Sequence, residues 1–312
     1  MDEYTRKTKA WLDTRFRYYD EDGIYHAHQS IYGFRSDHAE PRPITRYLCL
    51  YQVLKALSRI PCRSVLDVGG AEGYKAYLAR ELLGVDVLLS DLSEEACMRG
   101  RDLFRLDSAT ADIHSLPFRD GSVDAVLCSE TLEHVTDWQK ALDEILRVAR
   151  KAVVITVPYE SEALIERLKE TKESHTHIHS FTPKSFDFLL ARNYRVFCSR
   201  LISPLLYFYE LLLEPREVEH RNDSRYPRLF KTLYHASIPL LKRVMNERAL
   251  ASVIRLDEIA CRFHKGCSGL LFVIRTDFEK GEGGRPRSVS AYQVVATTVP
   301  YLYRNKRAPE KT

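Results

Sequence analysis

The chain alternates between short, densely apolar runs and longer segments in which apolar residues return every three or four positions. Ser64–Val68, Val85–Leu89, Val123–Cys128 and Ala152–Val157 are apolar runs of strand length, each followed by a glycine, serine or proline. Runs without polar alternation fit strands buried on both faces, as in a parallel sheet. Helical periodicity fills the gaps: Tyr74–Leu83 follows the first run, and Lys140–Arg150 carries Leu142, Ile145, Leu146 and Val148 on one face. A helix is predicted at Tyr4–Tyr18, and another from Pro43 with Ile44, Tyr47, Leu48, Tyr51 and Leu54 inward. Beyond Val157 the pattern predicts a charged helix over 160–173 and one from Thr182 and Pro183 to Ala191. Strands are predicted at Tyr194–Leu201 and Gly269–Thr276. Strands and helices in this order indicate an α/β fold.

The first strand ends in Asp67-Val68-Gly69-Gly70-Ala71-Glu72-Gly73. Small residues between a strand and a helix let a ligand approach backbone N–H groups that a Cβ would hold away. An acid beside the loop would repel a pyrophosphate, so a dinucleotide is disfavoured and a ligand that is cationic or rich in donors is favoured. Asp91 ends the second strand 22 residues beyond Gly69, near the offset of about 20 at which an acid accepts ribose hydroxyls. Further on, Asp112 can accept from an amino group, and Ile113 can bury apolar area against a flat ring.

These residues resemble the class I S-adenosylmethionine-dependent methyltransferases. Asp67, Gly69 and Gly73 match motif I, acid-x-Gly-x-Gly-x-Gly, with Ala71 in place of the middle glycine. Asp91-Leu92-Ser93 is similar to the family's acid-x-Ser, Asp112–Phe118 to its Asp-x-x-x-Leu-Pro-Phe, and Ser129–Val135 to motif IV of a type 11-like subgroup. The resemblance implies a Rossmann-like class I methyltransferase sheet and S-adenosyl-L-methionine as cofactor. It assigns cofactor contacts to Asp67, Gly69, Gly70, Gly73, Asp91, Leu92, Asp112, Ile113 and Glu130. The activity implied is methyl transfer, with O-methylation of a lipid, sugar or secondary metabolite preferred. An RNA-modifying enzyme and a non-catalytic cofactor-binding relative are the alternatives.

Two histidine sources can converge on the acceptor side: His134, and the run His175-Thr176-His177-Ile178-His179 before Phe181-Thr182-Pro183. An unperturbed imidazole titrates near neutrality, so His134, His175, His177 and His179 are the candidate bases. Glu130, Glu133 and His134 would share a face of one helical turn, a spacing able to hold a divalent ion. The same residues also suit a helix start whose free N–H groups meet the glutamates. The expectation adopted is a metal-independent protein.

Composition narrows partners more than chemistry. The 312 residues are 45% apolar and 29% charged, with net charge +4, which makes a nucleic-acid partner unexpected without an RNA-binding module. Seven thinly spread cysteines and a charged N-terminus without a signal peptide favour a cytoplasmic setting. Residues 1–59 form an accessory region or helical lid, 60–203 the core, 204–264 an inserted helical cap, 265–277 the final core strand, and 278–312 a linker and tail. The cap packs on the sheet edge or on a second copy in a homodimer, or its 204–246 portion meets a membrane surface. Cys261-x-x-His264-x-x-Cys267 invites a zinc reading, but turn cysteines fit better for want of a fourth ligand. The glycine-rich stretch 278–290 is expected to be mobile, and Ala291–Leu302 is apolar enough to dock as a strand or helix.

Overall fold

The computed structural model describes residues 1–18, 28, 31, 43–171, 175–204, 246–276 and 287–300. Helices α1 (Glu3–Arg17) and α2 (Pro43–Ser58) precede β1 (Ser64–Val68), α3 (Tyr74–Leu83), β2 (Asp86–Asp91), α4 (Glu94–Phe104), β3 (Asp107–Thr110) and β4 (Val123–Ser129). Then come α5 (Trp138–Val148), β5 (Ala149–Pro158), α6 (Glu162–Thr171), β6 (Arg195–Leu201), α7 (Glu247–Phe263), β7 (Gly269–Arg275) and α8 (Ala291–Ala296). The seven strands form one sheet in the order β3-β2-β1-β4-β5-β7-β6. β1 to β5 run parallel, and β7 is antiparallel to both neighbours. This is the Rossmann-like sheet expected of the sequence. β1 lies beside the central strand β4, and the strand order reverses between the two.

Alternation along the strands divides the core into two layers. Val65, Leu89, Leu127, Val154 and Leu271 pack with α2, α3, α7 and α8. Leu66, Val126, Val153, Ile155 and Phe272 pack on the other face with Leu142 and Ile145 of α5 and with Phe181 and Phe186. A small third cluster joins Leu12 and Phe16 of α1 to Ala71 and Ala96. That cluster matters most for function, because it lays α1 across the carboxyl edge of the sheet.

The structure departs from the sequence reading at several points. β3 was not anticipated; its four residues, Asp-Ser-Ala-Thr, carry no apolar signal and hold the sheet's edge by register with Leu88–Asp91. The helix expected from Thr182 to Ala191 is instead turns followed by a 3-10 segment, Asp187–Arg192. The Ser185 hydroxyl takes the Thr182 N–H at 2.8 Å. The end of the expected mobile linker is held, Arg287 donating to the Ser58 carbonyl at 3.0 Å, whereas Ala291–Ala296 docks as a helix with Val294 and Val295 buried, as the sequence led one to expect. Cys261 faces the Asp257 carboxylate within α7. Residues 19–42 lie outside the described residues apart from His28 and Ile31, as do 205–245 and 277–286. The expected membrane contact and most of the expected linker fall there. No helix among the described residues is long and apolar enough to cross a membrane.

Candidate active site

Ligands of open α/β sheets sit outside the carboxyl ends of the strands where the order reverses, and here that point is the β1–α3 loop. The Gly69 and Gly70 N–H groups donate to the Ser90 carbonyl at 2.8 and 3.3 Å, tying the loop to the end of β2. Gly69 has φ +70°, and a Cβ on it would stand 2.4 Å from the Thr131 hydroxyl. The loop therefore passes between the ends of β2 and β4 with no space for a side chain. Ala71 takes a positive φ of 49°, the conformation that explains why glycine is the commoner residue there.

Two buried carboxylates frame this loop. Asp91 accepts the Ala71 N–H at 2.9 Å and the Ser93 N–H at 2.8 Å. Burial nevertheless pushes its carboxyl up to about 6, with Glu72 and Asp13 adding repulsion. Asp67 is fully buried, and neither oxygen meets a donor at hydrogen-bonding geometry. Burial pushes it up to about 6 despite the opposing field of Lys75.

A cleft enclosing about 970 Å³ of empty space, mouth included, opens over the loop. Gly69, Gly70, Asp91, Leu92, Asp112, Ile113, Glu130, His134 and His175 line it, so most of the expected residues meet at one place. Asp67 and Gly73 stand behind the loop, and His177 and His179 do not line the cleft. Helix α1 contributes Tyr4, Thr5, Thr8, Leu12 and Phe16. It is tied to both banks: Asp2 accepts from the Thr136 hydroxyl at 2.9 Å, and Asp13 meets Ser93 at 2.5 Å.

Sequence reasoning missed three contributors. His114 lines the cleft and places Nδ1 2.6 Å from Asp112 Oδ1, while its Nε2 accepts the Asp137 N–H at 3.3 Å. This pair of bonds sets the tautomer with the proton on Nδ1. His28 donates its N–H to Glu72 at 2.6 Å across 44 residues, a contact without a local signal. Lys75 lies two residues past Gly73, in the first turn of α3, and passes for an ordinary helix residue.

The histidines do not act as a set. His134 stacks on His175 with ring centroids 3.9 Å apart, and His175 stacks on Trp11 at 4.9 Å. His177 points Nδ1 at Glu160 Oε2, 2.6 Å away, and His179 donates Nε2–H to the Val135 carbonyl at 2.7 Å. Burial holds His134 well below the usual imidazole range, helped by its histidine neighbours. It draws His175 down to about 3 and His28 to about 4. Loss of hydration thus draws His134 and His175 below the near-neutral range of an unperturbed imidazole. The expected helical turn over 130–134 fails. Glu130 has φ +56°, Thr131 has φ −135°, and only Leu132–His134 form a 3-10 turn. Glu130 instead points to Thr156, accepting from its hydroxyl at 2.8 Å.

Comparison with known proteins agrees with this geometry. The methyltransferase domain family matches residues 66–157, from β1 through most of β5. A ubiquinone/menaquinone biosynthesis C-methyltransferase from Klebsiella pneumoniae is 28% identical over 123 residues, covering 36% of this chain and 49% of that protein. An uncharacterized 37.1 kDa protein in a Streptomyces fradiae transposon is 34% identical over 105 residues, 31% of this chain and 30% of that protein. The chain thus spans half or less of the length of these curated relatives. Among solved structures, a geranyl diphosphate C-methyltransferase from Streptomyces coelicolor shares the fold with TM-score 0.51 at 13% identity. It covers 88% of this chain and 99% of that one. The segment that supplies the strands and loops of the cleft, residues 66–157, is thus similar to the methyltransferase domain family, in line with the resemblance to class I S-adenosylmethionine-dependent methyltransferases.

Proposed function

We propose that this chain transfers a methyl group from S-adenosylmethionine to a small-molecule acceptor held beneath α1. The observation that carries the reading is the convergence of Asp91, Asp112, Leu92 and Ile113 with the glycine loop on one cleft. The residues fit the cofactor. Gly69 and Gly70 put no Cβ into the cleft, and the Asp91 and Asp112 carboxylates line it. Asp91 and Asp112 accept from hydroxyl and amine donors, while Leu92 and Ile113 cover flat apolar faces. When bound, the cofactor supplies a methyl carbon activated by its sulfonium. Tyr4, Thr8, Leu12 and Phe16 on α1 keep water from that end of the cleft.

His28, His134 and His175 form the acceptor end in neutral form, able to accept a hydrogen bond or orient a polar group. Of the expected bases, His134 and His175 keep this role, and His177 and His179 do not line the cleft. The relatives broaden the acceptor atom. The quinone-pathway relative is a C-methyltransferase by name, so the preference for oxygen gives way to a small molecule methylated at carbon, nitrogen or oxygen.

The test uses full-length protein, S-adenosylhomocysteine in a calorimeter, and source-cell extract with methyl-labelled cofactor. Binding, with label moving into the small-molecule fraction, is the expected result. Label confined to RNA, or binding without any transfer, would replace the proposal by one of the alternatives.

A further inference from the structure

Behind the stacked histidines lies a second cluster that the cofactor site does not use. One donor atom from each of Glu133, His134 and His177 lies within 4.8 Å of the others, the only such group of acids, histidines or cysteines among the described residues. Glu133 is fully buried, and neither carboxylate oxygen meets a hydrogen-bond donor. Its Oε1 is 3.9 Å from His134 Nε2. A buried carboxylate without a donor is strongly disfavoured unless a cation or a proton meets it.

Both imidazoles are oriented as ligands. The His134 Nδ1 lies 3.1 Å from the Thr176 carbonyl and donates to it, which leaves the Nε2 lone pair free. The His177 Nδ1 lies 2.6 Å from the Glu160 carboxylate, leaving its Nε2 free likewise. A carboxylate or carbonyl on the far nitrogen is how proteins fix the tautomer of metal-binding histidines. The backbone repeats the arrangement: the Ile178 N–H donates to the Glu133 carbonyl at 2.8 Å, and the Ser180 hydroxyl to the Glu160 carbonyl at 2.7 Å. These bonds set the histidine run against the 3-10 turn. His179 Nε2 is taken by the Val135 carbonyl, and His175 lies stacked between Trp11 and His134 outside this group of donor atoms, so the structure chooses His177 from the three.

We infer that Glu133, His134 and His177 bind one first-row divalent ion of the zinc class, with open coordination positions toward the cleft. The donor set, two imidazoles and one carboxylate, suits zinc, cobalt or iron rather than magnesium, which prefers oxygen. Ligand bonds of about 2.0–2.1 Å require the three atoms to draw together by roughly an ångström, within reach of a loop and a short turn. His134 also lines the cleft, so the ion would face the acceptor end and hold an oxygen-bearing acceptor or a water.

The test needs no methyl transfer, so its outcome is independent of the proposed function. Untagged full-length protein, stripped with chelator, is titrated with Co²⁺ by visible absorption and with Zn²⁺ by competition. The expected result is one equivalent bound, with d–d bands of a low-symmetry nitrogen–oxygen site that zinc abolishes. Affinity should fall at least tenfold in both His177→Ala and Glu133→Gln and stay unchanged in His179→Ala. Glu160→Gln, acting only through His177, should weaken binding about tenfold or more. Glu133→Gln is isosteric and removes an uncompensated buried charge, so it keeps the test open if His177→Ala folds poorly. No binding in the wild type, or affinity unchanged in Glu133→Gln, overturns the inference.

Discussion

Asp91 accepts the N–H of Ala71 at 2.9 Å, twenty residues back along the chain. The carboxylate proposed to hold ligand therefore also holds the loop that cradles it. Asp91→Ala removes both functions, and S-adenosylhomocysteine affinity should fall by about 1.5–3 kcal/mol, the usual worth of a hydrogen bond to a charged group. Asp91→Asn keeps one acceptor and should lose less. Calorimetry on the three proteins checks the order. Equal affinity in wild type and Asp91→Ala would place the ligand elsewhere.

The buried acids give the site a pH dependence whose sign is fixed. Asp67 and Asp91 sit at about 6 in the folded protein, against about 3.9 in an unfolded chain. A raised carboxyl stabilises the ligand-free fold fully below the unfolded value, and that contribution is lost as pH rises through 6. A ligand that donates to the carboxylates favours their ionised form, so affinity runs the other way and weakens as pH falls through 6. His28 and His175, at about 4 and 3, stay neutral across this window. Dissociation constants at pH 5 and 7.5 should differ about tenfold or more, with the slope flattened in Asp91→Asn, since Asp91 lines the cleft. A flat profile in the wild type would mean that the ligand leaves both acids protonated.

Helix α1 offers a kinetic test. Asp2 caps it through the Thr5 N–H at 2.7 Å and reaches Thr136 on the far bank. Asp2→Ala should cost about 1 kcal/mol of local helix stability, while the main core is untouched. Hydrogen exchange across α1 should quicken and release of bound S-adenosylhomocysteine should speed up, with little change in the global Tm. Unchanged exchange would show that Leu12, Phe16 and the Asp13–Ser93 and Arg17–Glu95 contacts hold the helix without its cap.

What the sequence revealed follows from distance along the chain. Asp67, Gly69, Asp91 and Asp112 were legible because each stands at a strand end within a few residues of its own strand. Glu130 misled because an i, i+3, i+4 spacing presumes a continuous helix, and its φ of +56° breaks that helix before it starts. The bonds from His28 to Glu72 and from His134 to Thr176 cross 44 and 42 residues; neither leaves a periodic trace. His177 was one of three equivalent histidines until Glu160 and Glu133 distinguished it.

The last prediction separates two reasons for a small residue in the β1–α3 loop. A Cβ on Gly69 would stand 2.4 Å from Thr131 Oγ1 and 2.5 Å from its Cγ2, with φ at +70°. Gly69→Ala thus meets a clash and a left-handed conformation together, the latter alone costing roughly 1–2 kcal/mol. Removing the hydroxyl and methyl in Gly69→Ala/Thr131→Ala relieves the clash at those two atoms. Thr131 Cβ, at 3.0 Å, and the backbone penalty both remain. The single variant should lose ligand binding and several degrees of Tm, and the double variant should recover part of each. Gly70→Ala is the contrast. Its Cβ would meet Asp67 Oδ2 at 2.7 Å and Leu89 Cδ1 at 2.5 Å, so Thr131→Ala should not help it. Rescue of Gly70→Ala by that change, or failure to rescue Gly69→Ala at all, would show that the loop does not pass against Thr131 in solution.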